Sequence, residues 1–294
     1  MADARHIVLL EADKKAITLD FSTMGLRISA LAALAQPSAT IKCAQTQSLV
    51  AELNISQDDS FLVATAELPG RQERPLLVAP KALVKRSLQN IEGRAALIHA
   101  LAHIELNAVN LALDILWRFP GLPQRFYEQW LIVAKEEALH FTLLNDHLNS
   151  LGYVYGDFPA HNSLWEMAEK TKLNLLARLA LVPRTLEARG LDATPLVRKK
   201  LAGLGDKKGA AILDIILSDE VGHVATGNYW YRWECQRQGL DAVVTYELLA
   251  RQYEAPRPHP PFNLEGRRAA GFTEPELQAL EQAATQKDSV APHS

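Results

Sequence analysis

Four long segments with helical periodicity occupy the sequence after residue 86, and proline or glycine separates them from one another. Each segment repeats apolar residues every three to four positions and is long enough for roughly 40 Å of helix. Helices of this kind bury their apolar stripes against one another, so the pattern predicts an all-α fold built around a four-helix bundle. We place the helices at about residues 87–118, 123–151, 163–190 and 206–238.

Residues that commonly end helices support these bounds. The four segments stop, in order, at Pro120-Gly121, Gly152, Gly190 and Gly239. Pro183 lies inside the third segment and is expected to kink it. The first two helices are joined by only a few residues and must be antiparallel neighbours, whereas the later connections are longer.

The remaining sequence divides into flanking regions. We predict a partly helical N-terminal segment (1–68), an extended arm with three prolines (69–86), the bundle (87–239) and a C-terminal region (240–294). Within the last region we expect a short helix near 240–253, a proline-rich strap at 256–261, a helix opening at Thr273 with Glu276 in capping-box position, and a frayed tail after about residue 286.

Composition excludes several classes of protein. With 48% hydrophobic and 22% charged residues, the chain can bury a core and is not disordered. A net charge of −3 argues against a general nucleic-acid-binding surface, although a local site for tRNA remains open. Two cysteines are too few for a secreted disulfide framework. Without a signal peptide or a membrane-spanning stretch, we expect a cytoplasmic protein.

Two copies of a Glu-x-x-His motif lie on the second and fourth predicted helices. The motifs are Glu137-x-x-His140 and Glu220-x-x-His223. Residues three apart share one face of a helix, so each motif directs a carboxylate and an imidazole to the same point. Each motif also falls on an apolar stripe, which for Glu137 includes Trp130, Val133, Phe141, Leu144 and Leu148 and for Glu220 includes Leu213, Ile216, Val224 and Gly227.

The first and third helices each add one more acid on an apolar stripe. Glu105 aligns with residues such as Ile98 and Val109, and Glu187 aligns with Leu173, Leu176 and Ala180. A buried carboxylate needs a partner or a metal, and the two Glu-to-Glu separations, 32 and 33 residues, are nearly equal. One Glu plus one Glu-x-x-His from each helix pair is the ligand pattern of ferritin-like di-iron and di-manganese proteins. Four carboxylates balance two divalent cations, and iron fits best, followed by manganese.

The chain resembles an uncharacterised bacterial ferritin-like family, domain of unknown function four-five-five, over about residues 69–272. The resemblance rests on GRAALIHALAHIELNAVNLALD (93–114), WLIVAKEEALHF (130–141), YGDFPAHNSLWE (155–166), VPRTLEARGLDATP (182–195), DEVGHVATG (219–227) and PFNLEGRRAAGF (261–272). It implies a ferritin-like bundle with metal ligands at Glu105, Glu137, His140, Glu187, Glu220 and His223, but no substrate. More distantly, the spacing is similar to that of a tRNA hydroxylase that oxidises an isopentenyl-type side chain on adenosine, an analogy at the level of fold.

Four further residues are candidates for positions just outside the ligand set. His99 and His103 share a helix face that points away from Glu105, and we favour a structural or supporting role over direct ligation. Asp219 could orient a ligand imidazole or be a solvated helix acid. Tyr231 could place a hydroxyl near the metals, although an ordinary core aromatic is the stronger interpretation.

The leading functional hypothesis is therefore a dinuclear, di-iron protein that activates dioxygen to oxidise or hydroxylate an organic substrate. No catalytic residue is assigned beyond the metal centre. The substrate would be a small molecule or a modified nucleoside, and an external electron donor is required because the sequence lacks a Rossmann glycine fingerprint and an iron–sulfur cysteine set.

Two alternatives stay open. The first is a ferroxidase or iron-binding protein without an organic substrate, and the second is a helical interaction module without catalysis. The sequence makes no prediction about the oligomeric state.

Overall fold

The computed structural model describes residues 25–52, residue 55 and residues 59–285, and within these ranges the protein is helical and has no β-strand. The α-helices are α1 (Leu26–Ala35), α2 (Ala39–Ser48), α3 (Ile91–Arg118), α4 (Gln124–Ser150), α5 (Ser163–Lys170), α6 (Leu175–Leu181), α7 (Ala188–Gly203), α8 (Lys207–Gln238), α9 (Ala242–Gln252), α10 (Leu264–Ala269) and α11 (Glu274–Thr285). A π-helical segment, Val182–Glu187, joins α6 to α7, and Pro80–Ala82 forms a 3₁₀ turn. The all-α prediction is confirmed. The predicted frayed tail lies outside the described residues.

The predicted first, second and fourth helices correspond to α3, α4 and α8, with ends within a few residues of those expected. The side chain of Asn90 caps α3 by accepting a hydrogen bond from the Gly93 amide. Gly239 ends α8 with a φ of 69°, the left-handed conformation that glycine adopts without a Cβ penalty. At the predicted capping box, the amide of Thr273 donates to the Glu276 carboxylate at 2.7 Å.

The prediction of one continuous third helix over 163–190 is wrong. The chain leaves the helix after Lys170 and re-enters it at Leu175, where the Asn174 side chain accepts a hydrogen bond from the Ala177 amide. Buried Arg178 stabilises this break, since its guanidinium donates to the carbonyl of Ala168 and to the hydroxyl of Thr171.

Leu173 lies in that break and is 91% exposed, so its predicted place on the Glu187 stripe is also wrong. Gly190 does not end the helix either, since α7 runs on to Gly203 through Pro195. A proline inside a helix leaves the carbonyl four residues earlier without its helical partner. In α7 that carbonyl belongs to Leu191, and the Asn263 side chain donates to it at 3.2 Å.

The chain divides into two compact units, residues 1–165 and 166–294. In the first unit α3 packs against α4, α1 packs on α3, and α2 packs on α4. Apolar side chains such as Leu31, Leu34, Val109 and Phe141 are almost fully buried there, each contributing about 1.5–3 kcal/mol relative to exposure. Buried Arg27 of α1 donates to the Trp117 carbonyl near the C-terminal end of α3. A positive charge at this end of a helix interacts favourably with the helix dipole.

Among helices in the described residues, α3 is the one long and apolar enough to cross a membrane by length and composition. Within its most apolar window, 67% of the residues are buried inside the protein, as in the core helix of a soluble domain. The cytoplasmic location stays a prediction.

The second unit is built around α7 and α8, with α6 and the π-helical segment packed on α8 and with α9 packed on α6 and α8. Arg267 of α10 connects α10 to α7 within this unit. Its guanidinium pairs with both carboxylate oxygens of Asp192 on α7, at 2.7 and 3.1 Å, and also donates to the carbonyl of Ala188. Because these groups are buried, the paired geometry is needed to offset their desolvation.

Candidate metal centre

In the first unit, α3 and α4 bring three of the predicted ligands together. Glu105 comes from α3, whereas Glu137 and His140 come from α4, and all three are buried. Nδ1 of His140 lies 3.4 Å from Oε2 of Glu105 and 3.5 Å from Oε2 of Glu137. One ligand atom from each residue lies within 4.8 Å of the others, a geometry that could hold a metal ion. We call these three residues the first half-site.

The apolar stripe of α4 explains how the sequence places this half-site. Trp130, Phe141, Leu144 and Leu148 are at most 3% exposed, as the 3.6-residue period predicts. The same period carries Glu137 and His140 into the interior, because they lie three residues apart on that face. The burial of these two polar side chains therefore follows from their position among apolar neighbours on the helix.

The electrostatics of the first half-site favour a cation. Burial, followed by the charge of Glu137, raises the pKa of Glu105 to about 8. Burial lowers the pKa of His140, but its contacts with Glu105 and Glu137 outweigh that effect and raise the pKa above its usual value. Two buried carboxylates thus share one site that is stable only with compensating positive charge.

The second unit holds the other three predicted ligands, Glu187, Glu220 and His223, and all are buried. Glu187 is the last residue of the π-helical segment, and the other two lie on α8. We call these three residues the second half-site. A Cβ at Gly190 would lie 3.8 Å from Cδ of Glu220, so α7 passes close to that carboxylate.

The π-helical segment sets the position of Glu187. Pro183 lies in its first turn and contacts Gly227 of α8, where a Cβ would come within 2.5 Å of the proline ring. The predicted kink at Pro183 is thus a π-helical insertion, a feature often found at functional sites. The hydroxyl of Thr185 donates to the Ala180 carbonyl across this segment at 2.9 Å.

His99 and His103 form a separate cluster with the loop that follows α4. Burial lowers the pKa of both to about 4, so both are neutral near pH 7. His99 accepts a hydrogen bond from the Gly156 amide through Nε2 and stacks on Tyr155. His103 donates from Nε2 to the His161 carbonyl, which leaves Nδ1 to accept from the Tyr155 hydroxyl at 2.6 Å. These contacts give both histidines a structural role in holding the loop.

The other two candidates also have defined places. Asp219 is half-buried on α8, next to Glu220 in sequence. Tyr231 is fully buried, and its hydroxyl donates to the carbonyl of Ala242 at 2.7 Å, which joins α8 to α9. The stronger prediction for Tyr231, a core aromatic, agrees with this contact.

Sequence analysis did not identify the buried cations Arg184 and Lys42. Arg184 lies three residues before Glu187 and pairs with Glu276 at 2.7 Å and with Asn228 at 2.7 Å. Its guanidinium also lies over the rings of Tyr231, Tyr246 and Phe272. No local signal in the sequence identified Arg184, because its partner Glu276 lies 92 residues away. The other cation, Lys42 of α2, had no signal in its short and weakly patterned helix.

These features define an all-helical protein with buried glutamate and histidine clusters suited to a metal. The chain matches the family described as "Protein of unknown function (DUF455)" over residues 35–278, and it belongs to that family. It is also 50% identical over 228 residues to an uncharacterized protein of Haemophilus influenzae, covering 75% of this chain and 79% of that protein. No solved structure matches the chain.

Proposed function

We propose that the protein is a ferritin-like dinuclear metalloprotein that activates dioxygen to oxidise or hydroxylate an organic substrate. Its two iron ions would be held by Glu105, Glu137, His140, Glu187, Glu220 and His223. The observation that carries the proposal is the first half-site, in which two buried carboxylates and one imidazole converge within ligand distance of one another.

The chemistry of the donor set fits iron or manganese. Carboxylate oxygens suit manganese and other hard cations, imidazole nitrogens suit iron, and the mixed set lies between these preferences. A divalent cation would balance the two carboxylates of the first half-site, Glu105 and Glu137. The second half-site offers the same set, two carboxylates and one imidazole, so the six groups together would balance two divalent ions.

The protein residues perform three tasks in this proposal. Glu105 and Glu137 would bind the cation, which would take the place of a bound proton as the compensating charge, so metal uptake would release protons. His140 must be deprotonated to ligate, and its position between both carboxylates orients the ring for that purpose. Buried neighbours such as Trp130 and Phe141 exclude water from the site.

When bound, a di-iron centre would supply the electrons and Lewis acidity needed to reduce dioxygen. The chain has only two cysteines, Cys43 and Cys235, which cannot hold a four-cysteine iron–sulfur cluster. An external donor would therefore reduce the centre. A modified nucleoside is one candidate substrate by the distant likeness to a tRNA hydroxylase, and a small molecule is the other.

Metal analysis of protein purified from its native host tests the proposal, combined with optical spectra recorded as oxygen is added to the reduced form. We expect two iron ions per chain and a ferric charge-transfer band that grows with oxygen. Substoichiometric, exchangeable metal without that band would contradict the proposal and favour an interaction module. Sizing separates the remaining alternative, because a large cage of many copies would indicate iron storage.

A further inference from the structure

A cavity of about 210 Å³ lies in the first unit, between α2, the segment 70–77 and α3. Its wall includes Lys42, Arg71, Asn107, Asn110 and Tyr155. At roughly 30 Å³ for each water molecule, this space corresponds to about seven waters, enough for a small organic ion. Residues two positions from Glu105 line it, so this cavity faces a different side of α3 from the first half-site.

Lys42 is the unusual feature of this cavity. It is 1% exposed, and its Nζ donates to the Gly70 carbonyl at 3.0 Å and to Oδ1 of Asn110 at 2.6 Å. Both acceptors are neutral, and no carboxylate of the described residues lies within ion-pair distance of this ammonium. A buried cation without a counter-charge is costly, so such a group is normally paired, binds an anion or gives up its proton more readily.

The acceptors around Lys42 are held firmly in place. The Gly70 amide donates to the Leu34 carbonyl at 2.9 Å, which fixes the segment against the end of α1. A Cβ at Gly70 would lie 2.0 Å from the Ala35 carbonyl oxygen, so only glycine allows this approach. The ammonium is therefore oriented before any ligand arrives, which lowers the entropic cost of binding.

A second positive charge acts on the same space. Burial is the main cause that lowers the pKa of Lys42 to about 7, and the positive charge of Arg71 contributes to that lowering. Arg71 lines the same cavity, and its guanidinium donates to Oδ1 of Asn162 at 2.6 Å. Glu73 opposes this field, but Arg74 on the same segment offsets it.

We propose that this cavity binds a small oxyanion, a carboxylate or phosphate group on a short carbon chain, with Lys42 as its buried counter-charge and Arg71 at its entrance. Lys42 provides a point charge at the base, and the forked guanidinium of Arg71 can bind two oxygens. The site is independent of the proposed metal centre, because none of the six proposed ligands lines it.

The test is a thermal-unfolding titration of the full chain with inorganic phosphate and, separately, with succinate, each against sodium chloride at matched ionic strength. We expect a saturable rise in Tm with at least one of the two anions, because a ligand that binds only the folded state stabilises it. Saturation with phosphate alone would identify a phosphate group, and saturation with succinate alone would identify a carboxylate. If neither anion raised Tm more than sodium chloride does at the same ionic strength, the proposal would be overturned.

Variants of Lys42 and Arg71 test whether the anion binds in this cavity. Lys42→Met should abolish the saturable rise, whereas Lys81→Met, which removes an exposed lysine of the same unit, should retain it. If Lys42→Met does not fold by circular dichroism, Arg71→Ala serves instead. Arg71 is exposed, and its loss should weaken the anion affinity about tenfold. Unchanged affinity in Arg71→Ala, or in a folded Lys42→Met protein, would contradict the proposal.

Phosphate could also bind at an iron site, so the same titration is run on Glu137→Ala. Persistence of the saturable rise in that variant supports the cavity, and its loss would assign the anion to the metal centre instead.

Discussion

The two half-sites carry the same set of side chains, two carboxylates and one imidazole, on different backbones. In the first, both helices are regular, and Glu105 lies in the middle of α3. In the second, Glu187 ends a π-helical segment that begins just before Pro183. The comparison shows that burial on an apolar face, more than helix regularity, determines where these carboxylates lie.

Small residues in the second half-site occupy positions where the first has larger ones. Counting seven residues on from the motif glutamate gives Leu144 in the first half-site and Gly227 in the second. Gly227 admits the ring of Pro183, so the backbones of α8 and the π-helical segment approach closely. Three residues after the other glutamate, Ala108 corresponds to Gly190. The second half-site therefore relies on close backbone packing, whereas the first relies on large apolar side chains.

The largest expected effect comes from removing one motif glutamate at a time. In a dinuclear centre, Glu137→Ala and Glu220→Ala should each lose most of both metal ions, because each half-site depends on the other for charge balance. Metal content per chain, measured by mass spectrometry of the purified proteins, is the readout. Glu128→Ala, which removes an exposed acid of α4, is the matched control and should keep two ions.

If each variant lost only one ion, the two half-sites would be two independent mononuclear sites. Full metal content in both variants would show that neither half-site binds metal.

The next largest effect is expected from breaking the ion pair between Arg184, in the π-helical segment, and Glu276. Glu276→Gln removes the charge that pairs with buried Arg184 but keeps an oxygen that can accept from the Thr273 amide. Breaking a buried pair typically costs about 3–5 kcal/mol, so we expect a fall of this order in the free energy of unfolding, measured in urea.

Glu274→Gln on the same helix is the control for this change. Glu274 pairs with Arg268 at the surface, and its loss should leave the unfolding midpoint unchanged. An equal effect in both variants would mean that the buried pair does not hold the second unit together.

Gly227→Ala tests the close packing of α8 against Pro183. A Cβ there would lie 2.5 and 2.7 Å from atoms of the proline ring, which cannot move aside as the end of a flexible side chain can. Overpacking of this kind costs about 1–3 kcal/mol, and it should also displace Glu187 and reduce metal content. Gly222→Ala is the control on the same helix, because its Cβ would meet nothing within 4 Å. The control should be neutral or slightly more stable, and destabilisation of both variants alike would argue against the packing explanation.

Most of the first half-site could be predicted from sequence, and less of the second. Regular periodicity located α3 and α4, and the motif spacing together with the apolar stripes predicted Glu105, Glu137 and His140 as ligands. The break at Thr171–Asn174 was missed because it depends on Arg178, a buried side chain that reaches back to the previous helix.

Gly190 was misjudged for a related reason. Glycine often ends a helix, but Gly190 lies beside Glu220 inside a continuing one. Lys42 and Arg184 depend on partners 28 to 92 residues away, at Gly70 and Glu276, and such long-range pairings leave no local pattern. Whether the two half-sites meet around one pair of ions stays a prediction.

The smallest expected effect comes from making the second half-site resemble the first at one position. Gly190→Ala supplies the methyl group that Ala108 has, and the new Cβ would lie in ordinary contact, 3.8 Å from Cδ of Glu220. Because alanine favours a helix interior by up to about 1 kcal/mol over glycine, the variant should be slightly more stable and keep its metal. Gly190→Leu fills the same space with a side chain that must displace Glu220, so metal content should fall although the helix preference is similar. Equal metal content in the alanine and leucine variants would indicate that the space beside Glu220 is not part of the centre, and the close approach of α7 would then be a matter of packing alone.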